Sequence, residues 1–115
     1  MADELGLESL LDVFIFETLQ LIENLEQSIL NSEKSHGLDQ SINEIFRIMH
    51  TIKGSAGVML FDNIAALAHS MEDLFYYIRE EKPEHLDYAA LSDLVLSAVD
   101  FIKREIQLIQ NGQNP

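Results

Sequence analysis

Apolar residues recur by threes and fours along four stretches of this chain, and nowhere do they alternate as a half-buried strand requires. The first stretch covers about residues 4–32, with Leu7, Leu10, Leu11, Phe14, Leu21, Leu25 and Ile29 on one face. A polar, glycine-bearing connection follows at 31–38. The second runs from about 40 to 56, with Asp39 as its expected N-cap, a core stripe of Ile42, Ile45, Met49, Ile52 and Ala56, and Gly57 as its expected stop. The third covers 62–81, capped by Asp62 and stopped before Pro83. Its stripe is Ile64, Leu67, Ala68, Met71, Leu74, Phe75 and Ile78. The fourth starts near Asp87 and reaches about residue 109, burying Leu91, Leu94, Val95, Ala98, Phe101 and Ile102.

Short connections between consecutive helices make neighbours antiparallel, so the expected fold is all-α: an up-down four-helix bundle with room for a short extra C-terminal helix or tail. A chain of 115 residues holds one such core, taken here as residues 1–110, with 111–115 a tail or the start of a linker. The formal net charge of −13 repels phosphate backbones and anionic lipid heads, which argues against nucleic acid and membrane surfaces as partners. Without cysteine there is neither a disulfide framework nor a thiolate metal site, and a reducing cytoplasm is the expected compartment. The acidic start, Met1-Ala2-Asp3-Glu4, is unlike a secretory signal, and no apolar run approaches the ~20 residues of a membrane span.

Against this scaffold one strip stands apart: His50-Thr51-Ile52-Lys53-Gly54-Ser55-Ala56-Gly57. On a helical wheel the core stripe of the second helix lies about 130° from His50. The His50 face instead gathers Asn43, Phe46, Arg47, Lys53, Gly54 and Gly57. Glycine inside a helix costs about 1 kcal/mol relative to alanine, so Gly54 beside an outward histidine points to close approach by something else. Crowding against a neighbouring helix is the competing explanation. The third helix carries Ala65, His69, Glu72 and Tyr76 beside its core. If it lies against the second helix, a carboxylate there can accept the Nδ1–H of His50 and leave the Nε2 lone pair free to attack a phosphoryl group. Lys53 and Arg47 would screen the arriving charge.

The run Phe46-Arg47-Ile48-Met49-His50-Thr51-Ile52-Lys53-Gly54-Ser55-Ala56-Gly57 resembles the phosphoacceptor helix of histidine phosphotransfer (HPt) domains, most closely those of chemotaxis histidine kinases. His69-Ser70-Met71-Glu72 stands where that family places a His-x-x-Glu on the next helix. The resemblance spans nearly the whole chain, with its specific part at 46–72. Ser55 departs from it, where many members have glycine. The resemblance implies that His50 is phosphorylated through Nε2, that Glu72 orients it, and that Lys53 and His69 support it. Phe46, Arg47, Gly54 and Gly57 would form the docking surface. It also implies partners: a histidine kinase catalytic domain that supplies ATP and Mg²⁺, and response-regulator receivers that take the phosphoryl group. The chain itself would need no cofactor and perform no catalysis alone. It would act as an isolated acceptor domain, either a fragment of a larger kinase or a free-standing carrier.

Two other readings compete. A metal-binding bundle would need paired Glu-x-x-His elements facing inward, but the one such spacing here, Glu33 to His36, falls in a connection, and His-Glu-x-x-His is absent. A helical interaction bundle without chemistry would use the Phe46 patch alone. His36 and His85 are expected to face solvent, and Tyr76, Tyr77 and Tyr88 to pack at the bundle edge.

Overall fold

The computed structural model describes residues 2–34 and 39–115. Four helices follow one another: α1 (Ala2–Lys34), α2 (Asp39–Val58), α3 (Asp62–Glu81) and α4 (Tyr88–Gln110). Among the described residues there is no strand. Contacts join α1 to α2, α2 to α3, α3 to α4 and α4 back to α1, which closes an antiparallel up-down bundle. The α2–α3 pair is the most extensively packed. At 33 residues α1 is about 50 Å long and sets the long axis of a molecule measuring 55 × 25 × 19 Å.

The core is a single apolar cluster fed by all four stripes. Phe14, Ile22, Leu25 and Ile29 come from α1; Ile42, Ile45, Met49, Ile52 and Ala56 from α2; Ile64, Ala68, Met71, Phe75 and Ile78 from α3; Val95, Ala98, Ile102 and Ile106 from α4. The α2 stripe is buried as expected. Leu11, Leu21, Leu67, Leu74, Leu91 and Phe101 pack against this cluster from its margins. Two expected core residues are exposed instead: Leu10 at 57% and Leu94 at 42%. Leu10 lies one turn beyond Phe14, whose ring meets Phe61 of the α2–α3 turn at 5.2 Å, so it lies at the margin of the bundle's end. Leu94 lies roughly 90° round α4 from the Val95, Ile102 and Ile106 stripe. Between-helix polar contacts add register: Ser28 donates to Glu44 at 2.7 Å, Arg79 to Asn43 at 3.0 Å, and Lys103 pairs with Glu26.

The helix ends correct two expectations. Asp62 does not cap α3; the N-cap is Phe61, without a side-chain cap bond, and Asp62 is the first helical residue, where its charge faces the positive end of the helix dipole. Gly57 does not stop α2 either. The helix continues to Val58, and Leu60 takes the left-handed conformation at φ 63°. The Phe61 N–H donates to the Ala56 carbonyl at 2.9 Å and the Leu60 N–H to Gly57 at 3.2 Å, the paired bonds of a Schellman cap with leucine where glycine is usual. At α4, Asp87 caps through a bond from the Ala90 N–H at 3.0 Å, and Gly112, at φ 72°, closes the C-terminus with the same paired bonds. Residues 35–38, with His36, and the side chains of Leu7, Glu33 and Asp39 lie outside the described residues. The Asp39 cap and the solvent exposure of His36 therefore lie outside them as well.

Candidate functional site

The α2–α3 seam brings the distinctive residues together. Burying Ile52 and Ala56 on one side of α2 and Ala68, Met71 and Phe75 on α3 fixes the rotation of both helices. That rotation leaves the His50 side chain 64% accessible and sets Glu72 at the edge of the core, its side chain only 11% accessible. His50 Nδ1 meets Glu72 Oε2. Lys53, one turn along from His50, donates from Nζ to the other carboxylate oxygen, Oε1, at 2.8 Å. A single half-sunk carboxylate thus spans two residues of the facing helix.

The electrostatics follow. Burial pushes the Glu72 carboxyl up, but the hydrogen bonds from Lys53 and His50, with their charges, outweigh it and hold the group below the usual carboxylate value. Glu72 is therefore an ionised acceptor at neutral pH. An ionised carboxylate only accepts, so whenever the imidazole is neutral Nδ1 carries the proton and Nε2 the lone pair. The exposed ring aims that lone pair away from Glu72.

The other expected site residues fall as follows. Arg47 is exposed, with no ion pair among the described residues, and its carbonyl accepts from the Thr51 hydroxyl at 3.0 Å. Gly54 and Gly57 are exposed, and a Cβ on either would meet nothing within 4 Å, so crowding from within the chain does not explain them. His69 is exposed on α3, with its Nε2 3.4 Å from Asp73 Oδ2. Phe46 is half-buried, its ring nearly parallel to that of His50 at 22° and 6.3 Å between centroids. His69, Glu72 and Asp73 bring three donor atoms within 4.8 Å of one another, yet both Glu72 oxygens are already engaged by Lys53 and His50.

Arg79 also reaches this region, where Lys53 and Arg47 are the expected cations and a surface pairing with Glu72 is the expected role of Arg79 if it has one. Its guanidinium lies 4.3 Å from the centre of the Phe46 ring and 5.4 Å from that of Tyr76. It pairs with Glu80, not with Glu72. The α3 periodicity, which sets Glu72, Tyr76 and Arg79 along one flank, is the signal that could have found it. His85 is exposed, and so are Tyr76, Tyr77 and Tyr88. Chemically, the arrangement is a tethered, oriented imidazole with one free nitrogen on an open helix face.

Comparison with known proteins gives the family. Residues 9–112 match the Hpt domain family. The chain is 36% identical over 106 residues to the chemotaxis protein CheA of Borreliella burgdorferi and 38% identical over 107 residues to that of Treponema pallidum. These alignments cover 92% and 93% of the chain but only 12% and 13% of the two relatives, so the chain spans about an eighth of their length. The CheA phosphotransferase domain from Thermotoga maritima superposes with a TM-score of 0.76 at 35% identity, covering 90% of this chain and 95% of that one. With the motif, the bundle and these relatives in agreement, the chain belongs to the Hpt domain family and is a phosphotransfer domain of the chemotaxis CheA type.

Proposed function

We propose that His50 is the phosphoacceptor of this domain, with Glu72 and Lys53 as its immediate partners. The observation that carries the reading is the contact of His50 Nδ1 with Glu72, which selects the neutral tautomer whose lone pair is on Nε2 of an exposed ring. In the forward step, the Nε2 lone pair attacks the γ-phosphorus of ATP held by a kinase catalytic domain. The N–P bond forms and the P–O bond to ADP breaks, with Mg²⁺ and the transition-state contacts supplied by that partner. The proton stays on Nδ1, where the Glu72 carboxylate stabilises the cationic phosphoimidazole. In the second step an aspartate of a response-regulator receiver attacks the phosphorus, and the N–P electron pair returns to Nε2. Neither step requires a proton to leave the ring.

Lys53 and Arg47 favour the incoming phosphoryl group by charge, and Gly54 and Gly57 leave the helix face bare for the partner. His69 supports the site from the same flank of α3. Because ATP is consumed, the relay belongs in the cytoplasm. None of the helices is long and apolar enough to cross a membrane among the described residues.

The test is incubation with a chemotaxis kinase catalytic domain, ATP and Mg²⁺. The chain should gain one phosphoryl group that is lost in acid, as a phosphoramidate is, and His50→Gln should gain none while keeping its helicity. Labelling that persists in His50→Gln, or that maps to His69, contradicts the assignment.

A further inference from the structure

The surroundings of His50 are lopsided along α2. One turn toward the C-terminus lie Gly54 and then Gly57, with open space above them. One turn toward the N-terminus stands Phe46, nearly parallel to the imidazole. The Phe46 ring is braced from α3, with Tyr76 tilted against it at 5.9 Å and the Arg79 guanidinium over its face at 4.3 Å. Arg79 is itself fixed, since it donates to Asn43 Oδ1 at 3.0 Å and to Glu80 Oε1 at 3.1 Å. Its charge is thus matched by Glu80 and its flat face is spent on Phe46, which leaves it poorly suited to anchor an acidic partner directly.

We propose that Arg79 is a positioning residue that holds Phe46 as a wall on one side of His50, so that the kinase catalytic domain docks over the Gly54 and Gly57 side. Attack at Nε2 occurs in the ring plane, so the donor phosphorus lines up with His50 while the rest of the partner must lie to one side. The wall takes away one side, and the glycines open the other. Fewer unproductive poses then compete with the productive one. The proposal rests on His50 being the acceptor, and it adds the direction from which the kinase domain arrives and the residue that sets it.

Arg79→Gln, Arg79→Lys and Phe46→Leu test it with three readouts: KM and kcat for phosphorylation by the kinase domain, the NMR shifts of the His50 ring protons, and the rate of His50 modification by diethyl pyrocarbonate. Arg79→Gln should raise KM about threefold with little change in kcat, the size of effect expected from losing a partly exposed cation–π contact. The His50 ring protons should move downfield as the Phe46 ring ceases to stack, and the modification rate should hold, because the nucleophile is untouched. Arg79→Lys should fall between wild type and Arg79→Gln. Phe46→Leu, which keeps apolar bulk without a flat ring, should match Arg79→Gln and decides the matter if that variant does not fold. An unchanged KM overturns the proposal. So does a raised KM with unmoved His50 ring signals, since Arg79 would then be touching the partner directly. A wild-type chain that takes no phosphoryl group at all would instead refute the acceptor assignment.

Discussion

Glu72 joins His50 and Lys53 through its two carboxylate oxygens, and its titration ties the proposed chemistry to stability. The fold favours its ionised form, so the folded chain binds fewer protons there than the unfolded chain does in the acidic range. The stabilisation is full above the ordinary carboxylate value of 4.5 and is lost as pH falls through the depressed folded value. Glu72→Gln should therefore flatten the decline in stability below that pH, as followed by urea unfolding at a series of acidic pH values. An unaltered decline would show that Glu72 is not held below its usual value. The same variant should slow His50 phosphorylation about tenfold, as replacing an orienting partner of a reactive histidine commonly does, because Nδ1 would no longer be held as the donor. This pairing was legible in the sequence because His50 and Glu72 each follow from a helical wheel. Arg79 was not, since its contact with Phe46 depends on how far α3 slides along α2, which no single helix encodes.

Among the elements, α2 carries the clearest conflict between stability and use. Gly54 sits in a helix with nothing packed on it. Gly54→Ala should raise stability by about 1 kcal/mol, since alanine gives up less backbone freedom. It should also slow partner-dependent transfer while leaving modification of His50 by a small reagent unchanged. Slowing of both would mean that Gly54 shapes the imidazole and not the docking face. At the α2 terminus, Leu60→Gly should stabilise by about 0.5–1 kcal/mol by relieving the left-handed strain, measurable as a raised midpoint in urea. Element types and lengths were readable to within a few residues because the apolar spacing is strong. The caps at the α2–α3 turn were not, because that turn draws on a leucine in a glycine's place and on Phe61 packing against Phe14, a contact with a distant helix. The exposure of Leu10 and Leu94 has the same origin: periodicity marks a face of a helix, but the partner helices decide how wide a face is covered.

The bundle carries 20 acidic side chains against 7 basic ones. Its ion pairs are mostly exposed and individually worth little, so self-repulsion outweighs them. Added salt should therefore raise the thermal midpoint, and a midpoint that falls with salt would show that the pairs dominate. Within that negative field, Lys53 and Arg47 stand one turn to either side of His50 on α2, which favours the proposed arrival of a phosphoryl group there. In the proposed relay the bundle holds one nitrogen ready and open. Phosphorylation of chain carrying ¹⁵N-labelled histidine, read by ³¹P–¹⁵N coupling, tests this most directly. The coupling should appear at His50 Nε2, with Nδ1 still protonated; coupling at Nδ1, or at any other histidine, would contradict it.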